Sequence, residues 1–182
     1  MALDCLLNSG LKREDICGYS LKQIVTIYLA NYKEVKTDDI TLGEDGYTVS
    51  TITGTAKWYA FEPSKDTSSY NDDLVVGGNG SKYRTHSMTF SFNGSYSAKV
   101  AEVLDDLSLG KFIAVLKLSD GSAIMLGRLT GLEASAASSL SEAAADGQNG
   151  ITITLDCNTT ESALPVSKEA FAVVESSETA EG

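Results

Sequence analysis

The sequence predicts a mainly β protein: an antiparallel β-barrel or sandwich with one flanking α-helix and a long projecting arm. Several short runs combine β-branched and aromatic residues with alternating polarity, an Asp-Gly turn joins two apolar runs, and one segment has clear helical periodicity. A chain of 182 residues with 42% hydrophobic content can bury a core. We therefore expect a single domain over residues 21–175, between an N-terminal arm (1–20) and an acidic C-terminal tail (176–182).

The first half of the chain predicts strands followed by the arm. QIVTIYLAN (23–31) and YTVSTITGTAKWYAFEP (47–63) are rich in the β-branched and aromatic residues that favour strands. SKDTSSYNDDLVVGGNGSK (64–82) is polar and Gly-rich, apart from the apolar residues 74–76. Structureless segments of this length are uncommon in compact domains unless they have a function. We expect residues 64–82 to form the projecting arm and to dock on a neighbouring copy.

Two segments alternate in polarity and place hydroxyl side chains on one face. They are YRTHSMTFSF (83–92) and ITITLDCN (151–158). Short, uncharged, hydrogen-bonding side chains are typical of a solvated sheet, and they also suit the wall of a water-filled channel. The candidate pore-lining residues are Thr85, Ser87, Thr89, Thr152 and Thr154.

The segment SAKVAEVLDDLSLG predicts the flanking helix at about 97–109. Its apolar residues follow the i, i+3, i+4, i+7 pattern of one helix face, from Val100 to Leu107. Ser97 is suited to cap the N-terminus and Gly110 to cap the C-terminus.

The segment 112–129 predicts a hairpin that is apolar on both faces. Asp120-Gly121 favours a two-residue turn, which places Ser119 opposite Ser122. Because a solvated hairpin should have one polar face, this hairpin needs two covers. One short helix covers only part of a face, so the remainder suggests a neighbouring chain. The candidate self-assembly residues are Tyr70, Leu74, Val75, Val76, Ile113 and Val115.

The remaining segments carry weaker signals. Residues 131–150 are rich in Ala and Ser, and we expect mostly a surface connection there. AFAVVE (170–175) predicts a last short strand.

Charge and cysteine content limit the function. A net charge of −11 and a pI near 4.4 argue against a protein that grips nucleic acid through its phosphates, although an acidic wall lets a polyanion pass without holding it. The N-terminus lacks a basic start and a long apolar run, which favours synthesis and use in the cytoplasm. The three cysteines match no zinc pattern or disulfide framework, and we expect Cys5, Cys17 and Cys157 to be buried apolar residues.

No catalytic constellation is visible. The single histidine, His86, has no recognisable partners for nucleophilic chemistry, and the Gly-rich run 77–82 lacks the order of a phosphate-binding loop. The paired aspartates lack calcium-ligand spacing. We expect no enzyme activity, no cofactor and no metal.

Four passages carry a family resemblance. They are VTIYLAN, WYAFEPSKDTSSYNDDL, KFIAVLKLSDGSAIMLGRLTGL and GITITLDC, which together span most of residues 20–160. In their order along the chain and in their residue sequence, these passages resemble the tail-tube proteins of phages and prophages of the Bacteroides group. That resemblance implies a β-barrel or sandwich with a flanking helix, assembled as a ring, often a hexamer. It also implies that the inner sheet forms a continuous pore and that the arm contacts the next ring. Type VI secretion tube proteins and head–tail connector proteins share related folds.

The expected function is therefore that of a virion structural protein. Its rings would stack as a tail tube, assembled in the bacterial cytoplasm together with other tail or neck proteins, and DNA would pass through without specific binding. A head–tail connector or neck ring is an alternative within the same class. A carbohydrate-binding β-sandwich, with Trp58 and Tyr59 as its platform, is an alternative from another class.

Overall fold

The computed structural model describes residues 22–94, 97–141 and 149–177. The predicted N-terminal arm and most of the acidic tail lie outside these residues. The strands are β1 (Ile24–Asn31), β2 (Ile40–Leu42), β3 (Val49–Ile52), β4 (Tyr59–Phe61), β5 (Ser69–Val76), β6 (Lys82–Asn93), β7 (Lys111–Leu118), β8 (Ala123–Leu126), β9 (Leu132–Ser141), β10 (Asn149–Thr159) and β11 (Leu164–Val166). The helices are α1 (Ala98–Leu109) and α2 (Lys168–Ser176).

The predicted β-rich fold is confirmed. The strands form one open, mixed sheet in the order β2-β3-β11-β8-β7-β9-β10-β6-β5, and β1 lies between β7 and β4. The β11–β3 pair is parallel, and the other pairs are antiparallel. Because side chains of β1 and β7 share a core with those of β6 and β10, the sheet folds over on itself like a sandwich rather than closing into a barrel.

Strand β7 is buried on both faces, as its apolar run predicts. Phe112, Ala114 and Leu116 face a first core with β6, β10 and α1. Ile113 and Val115 face a second core, which also contains residues of β3 and α2. Both covers are therefore supplied by the same chain. The prediction that Ile113 and Val115 lie at a self-assembly interface is wrong, because neither has any exposed surface.

Helix α1 is confirmed where its periodicity predicts it. The Ser97 hydroxyl accepts a hydrogen bond from the backbone N–H of Val100 at 3.4 Å, which satisfies a free donor of the first turn. At the other end, the N–H of Gly110 donates to the carbonyl oxygen of Asp106. A Cβ at Gly110 would lie 2.1 Å from the ring of Phe112, so the chain needs glycine for this close approach.

Residues 170–175 form helix α2, and the prediction of a strand there is wrong. The Ser167 hydroxyl caps the helix by accepting from the N–H of Ala170 at 3.1 Å. Ala170, Phe171 and Val174 form the buried side of the helix. Within six residues, an apolar run of this kind fits both a strand and one helix face, and the N-terminal cap decides between them.

Two segments expected to lack regular structure are strands. Within the predicted arm, β5 pairs with β6 along its whole length, from Ser69 opposite Thr89 to Val76 opposite Lys82. Within the predicted connection, β9 pairs with β10, although residues 142–148 lie outside the described ranges. Edge strands made of small or polar residues lack the apolar signal from which strands are predicted.

The β7–β8 hairpin is confirmed with a register one residue away from the prediction. Leu116 lies opposite Ile124, and the N–H of Leu118 donates to the carbonyl oxygen of Ser122 at 2.9 Å. The loop has three residues and ends on Gly121, whose φ is +81°. An Asp-Gly pair fits both this three-residue loop and a two-residue turn, because both loops place the glycine in the left-handed region.

Gly127, which follows β8, offers a test of the packing. Its φ is +75°, and a Cβ there would lie 2.9 Å from Cγ of Leu132. We expect Gly127→Ala to lower the free energy of unfolding by about 2–4 kcal/mol, since backbone strain and overpacking add. Gly121→Ala is the control, because it shares the positive φ but meets no atom within 4 Å. Urea unfolding followed by circular dichroism measures both, and equal losses would contradict the packing argument.

Candidate self-assembly surface

Strands β9, β10, β6 and β5 lie side by side and present a polar face away from the core. The register places Thr152 opposite Ser91 and Thr154 opposite Thr89. The alternate residues of β6 and β10, such as Phe90 and Ile153, are buried in the first core. The strict alternation of both sequences therefore separates a buried apolar face from a hydroxyl face.

The hydroxyl face, made of Thr85, Ser87, Thr89, Ser91, Thr152 and Thr154, is linked by cross-strand hydrogen bonds. Thr89 Oγ1 lies 3.0 Å from Thr154 Oγ1, and Ser91 Oγ lies 2.7 Å from Thr152 Oγ1. The hydroxyl of Thr85 lies 3.0 Å from the Asn158 side-chain oxygen. The structure thus brings all five candidate pore-lining residues together on one partly exposed surface.

The charges on this face are acidic. Asp73 lies opposite Thr85, and Asp156 lies opposite Ser87. Among the described residues of β5, β6, β9 and β10 that share this face, none is lysine or arginine.

The two outer strands of the four-stranded region, β5 and β9, each have an edge that pairs with no further described strand over most of its length. Within the described residues, β5 pairs with β6 alone. Strand β9 pairs with β7 only at Leu132 and Glu133, so from Ala134 onward its outer edge carries no described strand, although helix α1 packs beside β9. Open edges of this kind can accept a strand from another chain.

The far end of the β5–β6 hairpin exposes apolar side chains. Leu74 and Val76 are each 59% exposed, on the sheet face that elsewhere covers the core. Tyr70 packs partly against the first core, and Val75 lies partly exposed on the opposite face. Of the six candidate self-assembly residues, Leu74 and Val76 are therefore the most exposed.

Sequence reasoning missed a groove beside α1. It has a volume of about 630 Å³ and lies between α1 and strands β1, β4 and β7. Its apolar rim includes Leu109, which is 90% exposed, and Tyr59, which is 40% exposed. The sequence carries no usable signal for this groove, since a single exposed apolar residue such as Leu109 is common on protein surfaces.

A polar cluster of the buried His86 and the partly buried Asp72 and Arg84 joins the hairpin to the loop before β11. The Asp72 carboxylate accepts a hydrogen bond from Arg84 Nε at 2.6 Å and another from the N–H of Ala163 at 2.9 Å. His86 Nε2 lies 3.6 Å from the same carboxylate, while its Nδ1 accepts from the N–H of Gly127 at 3.3 Å.

The environment of the cluster shifts two pKa values. Burial raises the pKa of Asp72, but the hydrogen bonds from Arg84 and from the N–H of Ala163 outweigh it and hold that pKa below its usual value. Burial also lowers the pKa of His86, more than the nearby Asp72 raises it. The histidine is therefore held neutral and acts as a hydrogen-bond acceptor in the fold.

Other candidate sites are placed as follows. Trp58 is buried in the second core, so it cannot form a carbohydrate platform with Tyr59. Burial raises the pKa of the partly buried Cys157 thiol, whereas Cys5 and Cys17 lie outside the described residues.

The described residues contain no group of three or more His, Cys, Asp or Glu side chains that could hold a metal ion. Neither α1 nor α2, the helices of the described ranges, has the length and apolar character needed to cross a membrane.

No family model matches this chain, and no curated protein matches it.

Proposed function

We propose that the chain is a structural protein of a phage virion whose copies form rings, and that these rings stack as a tail tube through which DNA passes. The resemblance in four passages of the sequence suggests this function. The observation that carries the proposal is the position of the hydroxyl face, which lies between the open edges of β5 and β9.

The two open edges suggest how a ring would close. Strand β5 of one copy would pair with β9 of the next, which is a heterologous contact that produces a ring when the rotation closes. If about six copies close the ring, as the resemblance implies, their four-stranded regions form a barrel of about 24 strands. At a spacing of about 4.8 Å between strands, its wall would be roughly 37 Å or more across, which leaves an open channel.

The hydroxyl face would line that channel. Its hydroxyl groups can bind water, and Asp73 and Asp156 repel phosphate, so DNA would move past without being held. The net charge of −11 supports a conduit more than a nucleic-acid-binding surface. Assembly in the host cytoplasm and contacts with other tail or neck proteins belong to the same proposal.

A head–tail connector remains the alternative within this class. The same edge pairing would form its ring, but a connector occurs as a single ring, whereas tube rings stack without limit. We expect negative-stain micrographs and sedimentation velocity of the purified protein at increasing concentration to show rings that grow into tubes. Rings that never stack would favour the connector, and a monomer at every concentration would contradict both.

A pair of proline substitutions tests the edge pairing itself. Of two adjacent residues in an edge strand, one backbone N–H faces the neighbouring strand and the other faces the open edge. Ser138→Pro and Ser139→Pro each remove one of these two N–H groups. The variant that loses the N–H facing the open edge should keep the fold and lose ring formation. The variant that loses the N–H facing β10 should weaken the pairing of β9 with β10. Circular dichroism and sedimentation separate the two effects. Unchanged ring formation in both variants would rule out pairing through β9.

A further inference from the structure

The exposed end of the β5–β6 hairpin combines apolar side chains with a cation. Leu74 and Val76 lie on one face of β5, and Lys82 lies opposite Val76 on the same face. The short turn between the strands is closed by a hydrogen bond from the N–H of Gly77 to the carbonyl oxygen of Ser81 at 2.8 Å. Lys82 is exposed and forms no ion pair with any other described residue. We call Leu74, Val76 and Lys82 the hairpin end.

The groove beside α1 has the complementary composition. Apolar side chains line its floor and rim, while charged side chains of α1 stand along one side. The apolar lining includes Tyr59, Phe61, Val103, Leu107, Leu109 and Phe112. The charged residues are Lys99, Glu102 and Asp106.

The acidic side of the groove carries two carboxylates without an ion-pair partner among the described residues. Glu102 and Asp106 are exposed, stand one turn apart, and form no ion pair within the part of the chain that the structure describes. Asp106 also lies near the C-terminal end of α1, whose last turn carries no basic residue. Because a helix C-terminus is partially negative, a carboxylate there is unfavourable and a cation is favourable. Among the described residues that line the groove, Lys99 is the one cation, and it lies in the first turn of the helix.

The hairpin end and the groove lie at opposite ends of the subunit. Phe61, in the groove, lies 6.2 Å from the ring of Phe90 and 6.3 Å from that of Phe92, near the C-terminal end of β6. Lys82 begins the same strand. The ten residues from Lys82 to Phe92 span about 34 Å of strand. One copy therefore cannot fill its own groove with its own hairpin end.

We propose that the hairpin end of one copy docks into the α1 groove of a second copy, with Leu74 and Val76 against the apolar lining and Lys82 against Glu102 and Asp106. This inference rests on the proposed ring-stacking function and assigns the contact between successive rings. Because the two surfaces differ and lie at opposite ends, each added copy leaves a new hairpin end and a new groove free. Such a heterologous contact continues as a linear polymer.

A charge exchange tests the polar part of the contact. Lys82→Glu and Asp106→Lys should each weaken stacking about tenfold or more, because each places like charges together. The double variant should recover most of the association, as the pair is restored with its charges exchanged. Both positions are exposed, so circular dichroism should show an unchanged fold. Tube length in micrographs and sedimentation velocity measure the outcome, and a double variant no better than the singles would overturn the proposal.

Cysteine cross-linking tests the position of the contact. A mixture of Val76→Cys chains and Leu109→Cys chains should give disulfide-linked dimers on mild oxidation, and a chain carrying both substitutions should give a ladder of higher oligomers. Each single variant alone reports the background from the native cysteines. Tyr47→Cys is the matched control for Val76→Cys, because the two native side chains are exposed to a similar extent. Equal cross-linking from position 47 would contradict the assignment.

The outcomes separate this inference from the proposed function. Tubes that form normally in every charge and cysteine variant would overturn the groove contact and leave the ring-stacking function standing. An unmodified protein that stays monomeric would overturn both. A disulfide within one chain from Leu109→Cys to Cys5 or Cys17 would mean that residues 1–20 fill the groove, and would also overturn the proposal.

Discussion

Replacing Trp58 with alanine is expected to lower the free energy of unfolding by about 3–5 kcal/mol, the usual range for removing a large aromatic side chain from a core. Trp58 is 1% exposed and packs in the second core, which also contains residues of β7 and α2. Alanine would leave a cavity that Ile113 and Val115 cannot fill, because both are held by the pairing of β7 with its neighbouring strands. The expected decrease in the free energy of unfolding is therefore the sum of two contributions, the lost transfer free energy of the side chain and the cost of the cavity.

Tyr59→Ala is the matched control for this prediction. Its side chain is 40% exposed on the rim of the groove, so we expect a loss below about 1 kcal/mol. Circular dichroism during urea unfolding measures both variants, because Trp58 is the only tryptophan and its removal abolishes the tryptophan fluorescence. A loss below about 1 kcal/mol for Trp58→Ala, no larger than that of the control, would mean that the second core does not depend on Trp58. If Tyr59→Ala keeps the fold but shortens tubes, the result also supports the groove contact.

Elements with a strong local pattern could be predicted from the sequence. The alternation in β6 and β10 and the apolar stripe of α1 require a particular strand face and helix face, because one side of each must be buried. Strand β5 was missed because its SYNDD run is polar and its tip is exposed. Helix α2 was missed because six apolar-rich residues fit either period, and its cap at Ser167 decides the outcome.

Of the candidate self-assembly surface, only the part defined by the alternation of polar and apolar residues along a strand could be predicted from the sequence. Hydroxyl residues of β6 and β10 share a face because the strands pair in register, and the alternation implied that face. An apolar run on β7 implied that Ile113 and Val115 are covered, but not that the cover is the rest of the same chain. The groove forms between α1 and strands β1 and β4, which are distant from α1 in sequence, so no local pattern indicates it.

His86 gives the second large effect, a loss of stability in mild acid. The side chain is 2% exposed, and burial lowers its pKa below the ordinary value of 6.5. Asp72 and Glu161 favour the protonated form and Arg84 opposes it, but burial is the largest influence. Between pH 6.5 and the lowered pKa, the unfolded chain binds a proton that the folded chain does not. The stabilisation is therefore complete above pH 6.5 and is lost as the pH falls, by up to about 1.4 kcal/mol per pH unit.

Substitution of His86 by asparagine isolates this contribution, because the chain has a single histidine. The asparagine side-chain oxygen can accept the N–H of Gly127 in place of Nδ1, but it cannot titrate. Since the pKa of Asp72 is lowered from 3.8, that carboxylate loses its stabilisation only at more acidic pH, outside this interval. Urea unfolding at several pH values between 7.5 and 5 should show falling stability for the unchanged protein and a flatter profile for His86→Asn. Parallel profiles would mean that the folded protein binds the proton as readily as the unfolded chain, and would contradict a lowered pKa of His86.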